Sequence, residues 1–248
     1  MKISVVIISL NEADRIANCI SSVKDIADEV LLVDSNSDDN TVEIAKKMGA
    51  RVIIQDFLGY VAQKNFALNN AQFEWVLSLD ADEELSEPLR NNILELKKKE
   101  VDACAFKFNR RNWYCDRWMK RCGWYPDNKL RLCKKEDAEW VGLDPHDELV
   151  VGAEIKRCKL EGDLLHYTYN NIEEHKQQAK KFALISAEAM YRSGRRVAVY
   201  KPILAFFARF IKTYIYKLGF LEGRMGLNLC LIESKGVYLK YKTLYSKS

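Results

Sequence analysis

Apolar positions in the first hundred residues fall into two kinds of segment, short β-branched runs and stretches with helical spacing. The short runs predict buried strands over residues 3–10, 29–34, 51–55 and 75–79. Between them, apolar residues recur every three or four positions, as in amphipathic helices. We expect Asn11 to cap the first helix and Ser86 to cap the helix that follows the fourth strand.

Strands that alternate with helices over short connections predict a parallel sheet with right-handed crossovers. Polar clusters follow three of these strands, at residues 11–12, 34–39 and 80–83. Ligands collect beyond the carboxyl ends of the strands in such sheets, so these clusters predict a ligand site. The chain has no G-x-G-x-x-G after the first strand and no G-x-x-x-x-G-K-[ST]. Their absence argues against a dinucleotide dehydrogenase and a P-loop NTPase.

Composition and charge refine this prediction. The chain has 248 residues, of which 48% are hydrophobic, enough for one large domain or a domain with a small appendage. Residues 176–248 hold 15 Lys and Arg but 3 Asp and Glu, whereas residues 1–175 hold 24 basic and 32 acidic residues. This asymmetry predicts that the basic tail meets an anionic partner. The sequence predicts no transmembrane helix and no signal peptide, which favours the cytoplasm.

Four blocks in this order resemble the family 2 glycosyltransferases of the GT-A fold. They are VVIISLNE at 5–12, LLVDSNSDDNT at 31–41, QKNFAL at 63–68 and LSLDADEEL at 77–85. The resemblance implies an α/β, GT-A type fold whose central, mostly parallel sheet is flanked by helices. It also implies a catalytic domain over 1–170, with a donor half over 1–100 and an acceptor half over 101–170. A helical, basic extension over 171–248 would follow.

The resemblance also assigns residues to a nucleotide-sugar donor. Glu12 and Asp34 would contact the base and the ribose, and Asp80 with Asp82 would form the D-x-D pair. The expected donor-binding residues are Leu10, Asn11, Glu12, Asp34, Ser35, Lys64, Asn65, Asp80, Ala81 and Arg131.

A divalent metal, Mg²⁺ or Mn²⁺, is the cofactor that the acidic pair predicts. Residues i and i+2 of an extended segment point the same way, so Asp80 and Asp82 can face one cation together. His166 is the expected third ligand, as the resemblance implies. The alternative for Asp80 and Asp82 is a solvated acidic loop without a metal, and the alternative for His166 is a structural histidine.

The segments GWYPDNKLRLCKK at 123–135 and AEWVGLDPHDEL at 138–149 resemble the lipopolysaccharide-core branch of the family. The resemblance implies an inverting transfer, in which one carboxylate takes the proton of the acceptor hydroxyl. Glu148 is slightly favoured as this base and Asp147 is close behind, because an extra acid interrupts the family's His-Glu; His146 would orient the base or the acceptor. UDP-glucose is the first expected donor, followed by other UDP-sugars, and an inner-core sugar of a lipid-linked saccharide is the expected acceptor.

Residues 173–220 of the basic tail and the aromatic segment at 110–125 indicate which partners the protein binds. Residues 173–193 predict an amphipathic helix on which His175 is exposed. Residues 197–220 are apolar and aromatic but interrupted by basic residues, which favours a peripheral position on the anionic inner face of the cytoplasmic membrane over a helix pair covering the core. The aromatic and basic residues of 110–125 favour sugar stacking over nucleic-acid binding, so no nucleic-acid partner is expected.

Other functions fit parts of the pattern. A transferase acting on a polyprenyl-linked or capsular glycan is the alternative within the same class. A nucleotidyltransferase would need a glycine-rich loop after the first strand, which ISLNEADR lacks. A catalytically inactive sugar-binding module is disfavoured by the D-x-D pair and the acids at 147–148.

Overall fold

The computed structural model describes residues 1–99, 101, 104–144 and 146–247, and of His146 only the backbone. The chain forms two compact units. The first contains residues 1–110, 128–142 and 147–166, and the second contains residues 111–127, 143–146 and 167–248. The two units interleave along the chain, whereas a single boundary at residue 170 is expected from the sequence. The assignment of catalysis to 1–170 stays a prediction.

The first part of the chain alternates strands and helices, as predicted. The elements are β1 (Ile3–Ser9), α1 (Ile16–Val23), β2 (Glu29–Asp34), α2 (Thr41–Lys47), β3 (Arg51–Ile54), α3 (Tyr60–Asn69) and β4 (Trp75–Asp80). The short strand β5 (Glu83–Leu85) and the helix α4 (Glu87–Lys97) follow β4. Ser86 caps α4 as predicted, since its hydroxyl oxygen accepts a hydrogen bond from the backbone N–H of Leu89.

Strands dominate the middle of the chain and helices its end. The strands are β6 (Cys104–Tyr114), β7 (Arg117–Trp118), β8 (Asp127–Lys134), β9 (Ala138–Leu143), β10 (His146–Val151) and β11 (Lys156–Tyr169). The helices are α5 (Ile172–Arg192), α6 (Lys201–Phe210) and α7 (Gly223–Ser246), with a π-helical segment (Ile211–Tyr216) after α6. The predicted helical C-terminal extension is therefore confirmed.

The main sheet has the order β3-β2-β1-β4-β8-β6-β11-β5. Strands β1 to β4 pair in parallel, while β8 runs antiparallel to β4 and β5 antiparallel to β11. The register sets Ser9 opposite Asp34 and Ile8 opposite Asp80. The acidic carboxyl ends of β2 and β4 therefore lie on either side of the end of β1.

The parallel half of the sheet is buried on both faces. Val5 and Ile7 of β1 pack in one apolar cluster with Ile16 of α1, whereas Val6 packs in another with Leu68 of α3. Successive side chains of a strand point to opposite faces, so a continuous apolar run fits only a strand covered on both sides. Each such side chain contributes roughly 1.5–3 kcal/mol to folding.

One glycine allows β11 to approach α4. Gly162 has φ +98°, and a Cβ there would lie 2.4 Å from the backbone N of Leu89. A side chain at this position would meet both a strained backbone and a fixed atom. The close approach seats the strand that carries His166.

The second unit has an aromatic core around His175. The prediction that His175 is exposed is wrong, because its side chain is buried among Tyr114, Trp124 and Tyr169. The hydroxyl of Tyr114 lies 2.9 Å from His175 Nδ1. The helix itself is confirmed, and its buried residues are His175, Ala183, Ser186 and Ala187. A single-sequence pattern missed this face because its members are small or polar.

The turn before α6, α6 itself and the π-helical segment leave many apolar side chains at the surface. The exposed residues include Val199, Tyr200, Ile203, Leu204, Phe207, Ile211, Ile215 and Tyr216. Among the described residues, none of the helices has both the length and the apolar character needed to cross a bilayer.

The buried imidazole of His175 makes stability depend on pH. Burial lowers the pKa of His175 from 6.5 to about 4, because it disfavours the charged imidazolium. Between these values the unfolded chain binds more protons than the native one, so the free energy of unfolding falls as the pH falls from 6.5 towards 4. We expect a loss on the order of 2–3 kcal/mol at pH 4 relative to pH 7. Urea unfolding of the protein and of His175→Gln at several pH values measures it. An identical pH dependence in both would contradict the assignment.

Candidate functional site

The end of β2 is organised by Asp34, whose side chain is fully buried. Its Oδ2 accepts hydrogen bonds from the hydroxyls of Ser9 and Ser37, at 2.7 and 2.6 Å. Its Oδ1 accepts from the Ser37 backbone N–H at 2.8 Å. The neighbouring Ser35 hydroxyl accepts from Gln63 Nε2 at 3.1 Å. Asp34 and Ser35, both expected to bind the donor, thus lie together at this strand end.

The predicted cap at Asn11 is wrong. Helix α1 begins at Ile16, and Asn11 instead has a left-handed backbone with φ 57°. Its Oδ1 accepts a hydrogen bond from the backbone N–H of Asp38 at 3.0 Å, so it ties the loop after β1 to the loop after β2. Leu10, also expected at the donor site, is half exposed beside it.

Glu12 lies in the same loop with a perturbed carboxyl group. Its backbone N–H donates to Thr41 Oγ1 at 2.8 Å. Burial, and then the negative charge of Asp82, raise the pKa of Glu12 to about 7. Strongly perturbed pKa values of this kind are concentrated at functional sites.

Lys64 of α3 joins two carboxylates from different parts of the chain. Its Nζ lies 2.9 Å from Asp80 Oδ1 at the end of β4 and 2.7 Å from Asp147 Oδ2 on β10. The Lys64 side chain is 6% exposed. Burial alone would raise the pKa of Asp80, but the charges of Lys64 and Arg131 outweigh it and hold this pKa well below its ordinary value.

Arg131 lies on the other side of Asp80 and extends these contacts. We call the six connected residues the ion cluster: Asp147, Lys64, Asp80, Arg131, Glu83 and Arg110. Arg131 Nη2 lies 3.1 Å from Asp80 Oδ2 and 2.9 Å from Glu83 Oε1. Arg110 Nη1 lies 3.4 Å from the same Glu83 oxygen. Burial would lower the pKa of Arg131, yet Glu83 and Asp80 hold it above its ordinary value. The antiparallel pairing of β8 with β4 carries Arg131 to this end of the sheet.

Asp82 and His166 meet beside the ion cluster. The pairing of β11 with β5 sets His166 opposite Glu83, and His166 Nε2 lies 3.1 Å from Asp82 Oδ2. Arg15 Nη1 lies 3.7 Å from the same oxygen. Burial opposes ionisation of Asp82, but the imidazole of His166 prevails and lowers the pKa of Asp82. The buried Ala81 separates this pair from Asp80.

A divalent cation fits the Asp82–His166 pair better than Asp80. Within the described part of the chain, no group of three or more His, Cys, Asp or Glu side chains is arranged to hold a metal alone. Both oxygens of Asp80 already contact cations, Lys64 and Arg131. Asp82 and His166 would supply one carboxylate and one imidazole, leaving further positions for phosphate oxygens and water.

The two expected base residues differ in their surroundings. Asp147 contacts Lys64 within the ion cluster, whereas the adjacent Glu148 is exposed. Neighbouring residues of a strand point to opposite faces, which explains the difference. Pro145 and the side chain of His146 lie outside the described residues.

Asn65 has a role that the sequence did not suggest. Its Nδ2 donates to the backbone carbonyl of Trp140 at 2.8 Å, and its Oδ1 accepts from the Trp140 N–H at 2.9 Å. The amide expected to bind the donor is therefore engaged with β9. The Trp140 ring in turn lies against Lys64 and Arg131, with centroid distances of 4.4 Å to Nζ and 5.3 Å to Cζ.

Sequence reasoning missed Glu83, Arg110 and Trp140. Glu83 and Trp140 stand inside the motifs at 77–85 and 138–149, and Arg110 begins the aromatic and basic segment at 110–125, but no local pattern distinguishes them from their neighbours. The contacts of Glu83 with Arg110 and Arg131, and of Trp140 with Lys64, join residues 27 to 76 positions apart, which local spacing does not reveal.

Comparison with known proteins gives one family. The model of glycosyl transferase family 2 matches residues 4–201. An uncharacterized glycosyltransferase of Rickettsia typhi is 34% identical over 253 residues, covering 98% of this chain and 86% of its own length. The lipopolysaccharide core biosynthesis glycosyltransferase LpsC of Rhizobium meliloti is 25% identical over 259 residues, covering 97% of this chain and 93% of its own.

A solved structure shares the fold. Glucosyl-3-phosphoglycerate synthase from Mycobacterium tuberculosis, in complex with Mn²⁺, UDP and glucosyl-3-phosphoglycerate, superposes with a TM-score of 0.50 at 18% identity. The likeness covers 79% of this chain and 81% of the synthase. At this identity the likeness concerns the fold alone.

Proposed function

Because the chain belongs to glycosyl transferase family 2, we propose that it is an inverting, metal-dependent enzyme that transfers a sugar from a nucleotide-sugar donor to an acceptor hydroxyl. The expected GT-A fold is confirmed by the parallel sheet and by the shared fold of the mycobacterial synthase. Family membership makes the chain a glycosyltransferase. The metal, the sugar, the acceptor and the residue roles that follow are proposals.

The observation that supports the mechanism best is the placement of Lys64 between Asp80 and Asp147. Asp80 lies in the predicted donor half, 1–100, and Asp147 in the predicted acceptor half, 101–170. One ammonium group thus holds together a carboxylate beside the donor and a carboxylate suited to the acceptor. A transferase needs such proximity, because the two substrates must react within a few ångströms of each other.

We assign the acceptor base to Asp147. In the transfer step its carboxylate takes the hydroxyl proton as the acceptor oxygen bonds to the anomeric carbon. The bond from that carbon to the diphosphate oxygen breaks, and the electron pair leaves with the nucleoside diphosphate. Attack opposite to the leaving group inverts the anomeric configuration. Glu148 is exposed away from the ion cluster and is the weaker candidate.

Asp82 and His166 are the residues that would hold the divalent cation. A bound Mg²⁺ or Mn²⁺ would neutralise charge on the departing diphosphate. Arg131 would serve the same end, since it is cationic and its Nε and Nη1 have no hydrogen-bond partner within the described residues. Glu12, Asp34 and Ser35 would receive the nucleoside.

The acceptor we propose is a hydroxyl of a lipopolysaccharide inner-core sugar. Likeness to LpsC over nearly the whole chain supports this choice. UDP-glucose is the first donor to test, and the mycobacterial synthase of the same fold was solved with UDP and Mn²⁺. A polyprenyl-linked or capsular glycan is the alternative acceptor.

A lipid-linked acceptor would require access to the membrane surface. The membrane-facing segment, which we define as residues 197–220, exposes apolar side chains on α6 and on the π-helical segment after it. Residues 189–221 contain seven Lys and Arg and no Asp or Glu. Two of the seven, Arg192 and Arg209, pair with Glu188 and Glu233 outside this range. Apolar side chains beside the remaining excess of basic ones support a peripheral position on the anionic inner face of the cytoplasmic membrane.

Donor hydrolysis tests the proposed reaction without knowledge of the acceptor. We expect the protein to hydrolyse one UDP-sugar, first UDP-glucose, with Mn²⁺ or Mg²⁺ and to lose this activity in EDTA and in Asp82→Asn. Proton NMR would show β-glucose released first from the α-linked donor. Full activity in EDTA, or an α-product, would contradict the proposal.

Two carboxylate variants in the same assay locate the base. Asp147→Asn should lower kcat about a hundredfold or more, as expected for removal of a general base, while leaving the dissociation constant for UDP within a few-fold. Glu148→Gln is the matched control and should keep kcat within about threefold. The reverse pattern would assign the base to Glu148.

Vesicle sedimentation tests the membrane-facing segment. We expect binding to vesicles of phosphatidylglycerol and phosphatidylcholine at low salt, and little binding to phosphatidylcholine alone or at high salt. Lys212→Gln with Lys217→Gln should weaken binding about thirtyfold, since each basic residue contributes on the order of 1 kcal/mol. Lys46→Gln with Lys47→Gln on α2 removes the same charge elsewhere and should have little effect. Equal loss in both pairs, or no binding at low salt, would refute the assignment.

A further inference from the structure

Trp140 of β9 is a buried tryptophan in contact with both site cations. Its side chain is 3% exposed, and its ring centroid lies 4.4 Å from Lys64 Nζ and 5.3 Å from Arg131 Cζ. Cation–π attraction is strongest for tryptophan and grows when the cation is removed from water. Packing in an apolar core does not require a ring to contact cations, whereas this ring contacts two buried ones.

The position of the ring is set by the residue next to Lys64 in α3. Asn65 makes two hydrogen bonds with the backbone of Trp140, at 2.8 and 2.9 Å. Consecutive residues of one helix therefore provide the ammonium group and fix the strand that carries the ring. This arrangement sets the distance between ring and cation independently of any ligand.

The ring completes the surroundings of the Lys64 ammonium. A lysine has three N–H donors, and the described structure gives this one two carboxylate partners, Asp80 and Asp147. The electron-rich ring is a third favourable neighbour that adds no charge. An aliphatic side chain at this position would offer the ammonium no such attraction.

We propose that Trp140 is a positioning residue that fixes Lys64 between Asp80 and Asp147 and fixes Arg131 for the donor diphosphate. The inference deepens the proposed function and rests on it for the diphosphate. Its structural part, the coupling between ring and ammonium, stands on the contacts alone.

UDP binding in the presence of Mn²⁺ tests the effect on the site. Trp140→Phe keeps an aromatic ring and should hold the dissociation constant within about threefold, whereas Trp140→Leu should weaken UDP about tenfold or more. Trp75→Leu is the matched control, because Trp75 is equally buried in the same unit and packs against Phe106. It should lower Tm but leave the UDP affinity of the folded protein unchanged. Unchanged affinity in Trp140→Leu, or an equal loss in Trp75→Leu, would overturn the inference.

A thermal double-mutant cycle tests the coupling without a nucleotide. Lys64→Met should lower Tm by several degrees less in the Trp140→Leu background than in the wild-type background. Additive Tm losses would overturn the inference even if UDP binds. Absence of UDP binding by the wild-type protein, with coupling retained, would instead refute the proposed donor and leave the positioning of Lys64 supported.

Discussion

The ammonium group of Lys64 has to be neutralised inside the protein, because its side chain is almost completely removed from solvent. Asp147 and Asp80 provide this neutralisation, and Asp80 is shared with Arg131, which pairs with Glu83, which in turn contacts Arg110. Acidic and basic groups alternate along this chain of contacts, three of each. Removing one member would leave a buried charge without its partner, which typically costs about 3–5 kcal/mol.

The ion cluster also explains why the two aspartates of the D-x-D pair differ. Asp80 is engaged by cations of the protein, while Asp82 faces His166 at the edge of the cluster. Asp80 thereby joins the elements around the end of β4, and Asp82 is the acid that we propose for the metal. The two acids stand two positions apart in the sequence but have different partners in the fold.

The parallel half of the fold follows from local sequence, since burial on both faces requires continuous apolar runs such as that of β1. The cap at Ser86 also follows, because one hydroxyl and one nearby N–H decide it. The surroundings of Asn11, His175 and Asn65 could not be predicted from local sequence. Each is placed by partners distant in sequence: the loop after β2, an aromatic cluster and the backbone of β9. Asp34, Asp80, Asp82 and His166 could be selected from motifs, but their partners could not.

The unfolding free energies of Lys64→Met, Asp147→Asn and the double variant test the central role of Lys64 most directly. If one ammonium holds both carboxylates, Lys64→Met leaves Asp80 and Asp147 to repel each other, and adding Asp147→Asn relieves that repulsion. We expect the double variant to be more stable than the sum of the single losses implies, by about 1 kcal/mol or more. Strictly additive losses would contradict it.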